Sequence, residues 1–406
     1  MEHHRKSIGE LFEGYTGDYK PKETYWGKDV GKEDVYAVTF AIEIAREKSA
    51  FILSEYHRYF MANNITTDDR QNPDVAKYWE MVHLRKELLL CDTIEEVKEI
   101  DTVFDNAREH IKKIYEGAVS NMIDRKKQLI EVFEDTQKFY TEDPALKAAV
   151  KRSRENARLY EADEYPELSD APARSGAVRV TKHKTFEAAM ALHREYPDKK
   201  IAVLNFASAS RPGGGVTNGA SAQEESLCRC STLYATLNTK QMWQGYYDVN
   251  RSMHDVLHTD ACIYSPDIVI CKTDESIPKR MKAEDFVTVD VISCAAPNLR
   301  NEPANKHNPE TGKPMRIEPQ KLHDLHLSRA KHILHIAAAN GSEIIVLGAF
   351  GCGAFQNDPN IVAKAYRDAL NEYGNRFDVI EFAIYCRDYE TENYDEFKKV
   401  LLKGAF

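Results

Sequence analysis

Long apolar runs are missing from this chain of 406 residues. No stretch approaches the roughly 20 residues needed to cross a bilayer. The opening, MEHHRKSIGELFEGY, has no apolar stretch suited to a secretory signal, so a cytoplasmic home is the expectation. Cysteine is sparse and scattered, eight in all. Cys228 and Cys230 form the only close pair, and no second pair stands at metal-ligand spacing, so no metal is expected. On a helix their side chains would point to different sides. Cys262, Cys271, Cys294 and Cys386 sit in apolar strand-like runs and read as reduced core residues. Positive charge is also short: the formal net charge is −10. That argues against generic nucleic-acid binding, though not against a polyanion held at a local site. What is present, 42% hydrophobic and 30% charged residues, is the balance of a soluble globular protein. The length suits about two domains.

Two halves read differently, and the boundary is placed at 150/151. From Gly31 to about Tyr160 the pattern is helical. Ile94, Val97, Ile100, Phe104, Ala107, Ile111, Ile114, Ala118 and Met122 recur at three- and four-residue steps, one apolar stripe on a long helix. Asp92 or Thr93 is positioned to cap it, with Glu95 or Glu96 reaching back. Further helices are expected over Glu33–Tyr59 and Asp74–Leu90. No chemical motif appears in this part, which reads as a structural or partner-binding region, and Arg125-Lys126-Lys127 reads as a solvated face. The acidic, proline-containing stretch from Glu161 to Ser175 reads as a linker or long loop. After it, strands are expected at Ala177–Val180, Lys200–Phe206, Ile268–Cys271, Phe286–Cys294, Glu343–Leu347 and Val379–Tyr385. Helices are expected near Thr185–Glu195, Gln223–Leu237, Ile317–Asn340 and Asn360–Tyr373. Near-continuous apolar strands alternating with helices imply a sheet covered on both faces.

The chemistry concentrates in two loops. GGGVTNGASAQEES, Gly213 to Ser226, follows a strand and opens a helix. Ligands of α/β folds bind beyond the carboxyl ends of strands. Glycines there permit close approach of backbone N–H groups to an anion, and a helix N-terminus adds partial positive charge. The loop lacks the GK[ST] ending of a P-loop and is not GxGxxG. Glu224 and Glu225 point about 100° apart on a helix, so each can serve a different part of one ligand. EIIVLGAFGCGAFQNDP, Glu343 to Pro359, repeats the design, with Asp358 and Pro359 as helix starters. Two such loops suit a diphosphate, and Phe355 would either stack on the ligand or join the core.

NFASASRPGGGVTNGASAQEESLCRCSTLYATL resembles the catalytic signature of microbial-type poly(ADP-ribose) glycohydrolases, GGG and QEE separated here by seven residues. LGAFGCGAFQNDP and the AAPN of Ala295–Asn298 resemble further family segments. The resemblance runs from about Lys151 to Phe406. It implies an α/β fold, a three-layer α/β/α macrodomain with a mixed sheet, behind an all-helical N-terminal region. It also implies hydrolysis of the ribose–ribose bond of poly(ADP-ribose) without a cofactor. By position, Glu225 resembles the catalytic acid and Glu224 its partner at the ribose hydroxyls, next to Gln223. Gly213, Gly214 and Gly215 would lie along the diphosphate and distal ribose. Gly351, Cys352, Gly353 and Ala354 would cradle the diphosphate, and Phe355 would pack near the ribose. Ser208 stands where many macrodomains carry Asn, with Asn205 as a substitute. Glu225 is expected to protonate the leaving oxygen and then deprotonate water. The substrate would be poly(ADP-ribose) or ADP-ribosylated protein, with no membrane and a protein partner for the N-terminal helices. Two alternatives are a mono-ADP-ribosyl protein hydrolase and a non-catalytic ADP-ribose reader. The polar segment Asn298–Arg316 is expected to edge the pocket as a surface loop.

Overall fold

The computed structural model describes residues 32–402 apart from 64, 69–70, 92, 171, 305–311 and 388–390. The chain divides into two compact units, Met1–Asp124 and Arg125–Phe406. In the first, the helices Lys32–Asn63, Pro73–Glu87 and the start of Ile94–Glu142 surround a core that includes Ile52, Tyr56, Phe60, Met81, Phe104 and Ile111. The expected stripe is this core's third side, since Val97, Phe104, Ala107 and Ile111 are all buried. Thr93 caps the long helix: its N–H donates to Glu96 Oε2 and its hydroxyl accepts from the Glu96 N–H, both at 3.3 Å. Asp92, the other candidate, lies outside the described residues, as does the N-terminal MEHHRKSIGELFEGY.

The second unit is built on seven strands: β1 (Arg158–Tyr160), β2 (Ala177–Thr181), β3 (Ile201–Phe206), β4 (Cys262–Ile270), β5 (Val287–Cys294), β6 (Ile344–Leu347) and β7 (Val379–Ala383). Their order is β1-β4-β5-β3-β6-β7-β2. The pairs from β5 to β2 are parallel, and β4 runs antiparallel to β5 and β1. β3 shows why its sequence is apolar throughout. Ile201 and Val203 enter one core with Phe186 and Leu227, while Ala202 and Leu204 enter the opposite core with Ile333 and Val362. A strand buried on both faces has no polar side to display. The layers are therefore α/β/α on a mixed sheet.

Several expectations shift. The division falls after Asp124 rather than after residue 150, inside the 49-residue helix Ile94–Glu142. Residues beyond it build into the second unit. Phe133 joins the core of Phe186 and Leu227, and Tyr140, Leu146 and Val150 pack with Ala235, Val269 and Cys271. Lys272, 1% exposed, pairs with Asp135 at 2.8 Å and donates to the Val132 carbonyl at 2.8 Å. The helical period runs on unchanged, so nothing local marks where the helix changes its packing partners. The 161–175 stretch is irregular as expected, but it is fastened down rather than free. His332 and His335 reach the Glu164 and Pro166 carbonyls at 3.1 and 2.6 Å, and Arg174 pairs with Glu343 and Asp378. The helix expected over Gln223–Leu237 is two, Gln223–Cys230 and Leu233–Leu237, broken where Ser231 bridges to Ile270. Cys228 and Cys230 are both buried, because that helix is enclosed nearly all round. Cys386 lies past the end of β7 and is only half-buried, not a core residue.

Candidate active site

A cleft of about 930 Å³ opens beyond the carboxyl ends of β3, β6 and β7, large enough for a ligand of nucleotide size. Both glycine loops line it. From the first come Ser208, Gly214, Gly215, Gln223, Glu224 and Glu225, and from the second Gly351, Gly353, Ala354 and Phe355. Asn205, Gly213 and Cys352 belong to these segments but are not on the cleft wall.

The two carboxyls converge on Gly214. A Cβ at this residue would stand 2.6 Å from Glu225 Oε1 and 3.1 Å from Glu224 Oε2, and its φ is +53°. A side chain here would have to move the Glu225 carboxyl, and the left-handed φ itself favours glycine. Glu225 Oε1 accepts the Gly215 N–H at 2.8 Å. Glu224 accepts the Ser208 N–H at 2.7 Å and the Asn205 amide at 3.3 Å. Burial pushes the Glu224 carboxyl well above the usual carboxylate range. The neighbouring Glu225 adds to that, against hydrogen bonds from Ser208, Asn205 and Gly213. Glu224 is 3% exposed and Glu225 8%, so Glu225 is the one nearer the opening.

Three residues expected at the ligand make defined contacts within the protein. Gln223 lines the cleft, but its amide is occupied: Nε2 donates to the Leu204 carbonyl and Thr185 Oγ1, and Oε1 accepts the Phe206 N–H. It fastens the acid-bearing helix to the end of β3. Asn205 is fully buried, linking Glu224 to Ser293 Oγ at 2.9 Å. It lies beneath the Glu224 carboxyl. Ser208 contributes its backbone N–H to Glu224, while its hydroxyl faces Ser210 Oγ at 3.3 Å.

The second loop is organised by Asn357, a residue with no motif signal in the sequence. Its side chain is buried, and Nδ2 faces the carbonyls of Pro297, Gly351 and Phe355 at 2.7, 3.0 and 3.3 Å. Oδ1 meets His326 Nε2 at 2.9 Å. Three acceptors around Nδ2 fix the amide orientation, so Oδ1 is the acceptor and His326 Nε2 carries the proton. Burial lowers the His326 pKa to about 4, which keeps the ring neutral in that tautomer. The Ala295–Asn298 segment is thereby tied to the second loop, and Leu299 N–H adds a bond to the Phe355 carbonyl at 3.0 Å. Gly351, at φ +80°, packs against Ala296 and Asn357. Cys352 turns inward with the core. Phe355 packs on that core and also lines the cleft, with the Arg300 guanidinium 5.5 Å from its ring centre.

Other wall residues carry no motif signal. Lys184 and Tyr385, with Lys184 Nζ 5.7 Å from the tyrosine ring centre, stand on the β7/β2 side. His258 and Arg300 stand on the β5 side, and burial lowers the His258 pKa to about 3. Of the segment Asn298–Arg316, Asn298 and Arg300 do edge the cleft, and 305–311 lie outside the described residues. Arg125 and Lys126 also line the wall; they are not merely a solvated face. Among the described residues no helix is long and apolar enough to cross a membrane, and no three His, Cys, Asp or Glu side chains cluster as a metal site.

Fold and cleft together define an α/β protein with a paired-carboxyl site between two backbone cradles. Comparison with known proteins makes this specific. Residues 127–273 match the family model of the microbial-type PARG catalytic domain, PARG being poly(ADP-ribose) glycohydrolase. The solved poly(ADP-ribose) glycohydrolase of Deinococcus radiodurans, in complex with ADP-ribose, is 32% identical. That match covers 63% of this chain and 97% of that one, with a TM-score of 0.53. The enzyme of Thermomonospora curvata is 28% identical over 68% of this chain and 99% of that one, with a TM-score of 0.56. Its complex with the inhibitor ADP-HPD gives 28%, 68%, 98% and 0.55. No curated protein matches by sequence. The chain belongs to the microbial-type poly(ADP-ribose) glycohydrolase family. Separately, residues 34–114 match the family model of the bacterial epsilon antitoxin.

Proposed function

We propose that this poly(ADP-ribose) glycohydrolase cuts the ribose–ribose bond with Glu225 as the acid and base, held and assisted by Glu224. The observation that carries this reading is the convergence of both carboxyls on Gly214 at the cleft wall. In this reading the ADP-ribose diphosphate lies between the backbone of Gly214-Gly215 and that of Gly351, Gly353 and Ala354, and Tyr385, also on the wall, offers an aromatic face for the adenine. Burial of Glu224 favours its protonated form. Glu225, on the open side, delivers the proton to the leaving oxygen as the anomeric carbon becomes oxocarbenium-like. Water then adds to that carbon and returns a proton to the carboxylate. Glu224 orients the ribose hydroxyls. The Gly215 N–H holds the Glu225 carboxylate in place throughout.

The test is Glu225→Gln, which keeps the shape and removes the acid. Turnover of poly(ADP-ribose) should fall by at least about 10²-fold, the usual worth of a general acid–base group, while ADP-ribose binding measured by calorimetry stays within about threefold. Wild-type turnover in this variant would reject the assignment.

The first unit supports a second role on a different observation, its match to an antitoxin family. Leu89 and Leu90 are exposed there, apolar side chains suited to a protein partner. We read this unit as one that engages a toxin protein. If so, Leu89→Asp/Leu90→Asp should abolish neutralisation of a toxin that the wild-type chain counteracts, and leave hydrolysis unchanged.

A further inference from the structure

We propose that Arg125 and Lys126 form a second anion subsite, which binds the diphosphate of the polymer unit across the scissile bond from the ADP-ribose in the cleft. The inference rests on the hydrolase reading above. Lys126 and Arg125 line the same cleft as Glu225, Gly215, Asn218 and Ala220, and a Cβ on Gly215 would stand 2.8 Å from the Ala220 Cβ and 3.5 Å from Glu225 Oε1. The contact is direct. A Cβ on Gly219 would stand 2.4 Å from the Lys126 carbonyl oxygen, at φ +70°, so the loop that leads to the acids rests on the main chain of this helix turn. Both side chains are exposed. Among the described residues neither has a hydrogen-bond or ion-pair partner. In a chain of net charge −10, two unneutralised cations at the cleft wall favour an anion locally.

The chemistry of the substrate supplies that anion. The leaving oxygen belongs to a ribose that itself bears a diphosphate, so every bond cut within a polymer places a second pair of phosphates just beyond the acid. A free ADP-ribose has nothing there. The subsite therefore acts on polymer and not on the unit bound in the cleft, and it gives the enzyme a hold on the chain it has just shortened. Lys127, next on the same helix and equally exposed, is off the cleft wall, and it provides a matched control.

The experiment compares Arg125→Glu/Lys126→Glu with Lys127→Glu, using poly(ADP-ribose) of defined length and free ADP-ribose. The double variant should raise KM for polymer by about 2- to 30-fold, the range that two exposed ion pairs supply. It should keep kcat within about twofold and lose much of the salt dependence of kcat/KM. Affinity for free ADP-ribose should stay within about twofold. Lys127→Glu should leave all of these unchanged. An unaltered polymer KM in the double variant, an equal effect of Lys127→Glu, or an equal loss of ADP-ribose affinity would each overturn the subsite while leaving the hydrolase assignment intact. A wild-type chain inactive on polymer would overturn both.

Discussion

At the scale of single residues, the glycine run and the acids explain each other. Gly214 has a left-handed φ and sits where a methyl group would collide with both carboxyls. Gly214→Ala should therefore displace Glu224 and Glu225 and strain the backbone by about 1–3 kcal/mol. The expected outcome is a fall in kcat larger than the fall in ADP-ribose affinity, with a modestly lower Tm; unchanged kcat would contradict the geometry. His326 makes a prediction in pH. Its pKa is lowered to about 4 in the fold against about 6.5 unfolded, so the unfolded chain takes up the proton first as pH drops. Stability tied to this ring is complete above about pH 6.5 and is lost progressively as pH falls to about 4. Denaturant titrations should show a pH slope across that window that is shallower in His326→Gln by up to one proton. Glu224 works in the opposite direction. Its folded pKa is raised, so its share of stability is full below the ordinary carboxylate range and declines as pH rises through the raised value.

At the scale of elements, the cleft is two loops held in place by side chains bonded within the protein. Gln223 fastens one to β3, and Asn357 fastens the other to the Ala295–Asn298 segment. Asn357→Leu would leave the buried carbonyl of Pro297 without its donor, a loss of about 1–3 kcal/mol, while the Gly351 carbonyl keeps the backbone N–H of residue 357. ADP-ribose affinity should fall about tenfold or more, as the backbone cradle loosens, with kcat on saturating polymer less affected. An affinity unchanged by this substitution would remove the clamp from the account. Much of this layout was legible in advance. The strands were visible because burial on both faces demands unbroken apolar runs, and the acids because glycines and paired carboxyls in one loop have few other uses. The clamp was not legible, since Asn357 and His326 are 31 residues apart and each looks ordinary alone. Gln223 stands out in the motif and lines the cleft, and its amide is bonded within the protein. A polar side chain in a motif can satisfy the backbone of a neighbouring strand as readily as a ligand. β1 was missed because three residues offer no period to read.

At the scale of the whole molecule, the helix Ile94–Glu142 decides where the catalytic unit begins. Leu129, Phe133 and Tyr140 are buried. Phe133 stacks edge-on against Tyr234 at 4.9 Å, and Thr136 donates to the Arg229 carbonyl at 2.6 Å, beneath the acid-bearing helix. A chain starting at Arg125 keeps all of these contacts. A chain starting at residue 151, where composition alone would cut, loses them and also strips Lys272 of both its partners, Asp135 and the Val132 carbonyl. Each large apolar side chain removed forfeits about 1.5–3 kcal/mol, and a buried unpaired ammonium adds several more. The sum reaches the whole stability of an ordinary domain, about 5–15 kcal/mol. Residues 125–406 should therefore unfold cooperatively and retain hydrolysis of poly(ADP-ribose), whereas residues 151–406 should be aggregated or unfolded by circular dichroism and inactive. A stable, active 151–406 fragment would mean that the 125–150 stretch only decorates the catalytic unit, and that the division belongs where the sequence first suggested it.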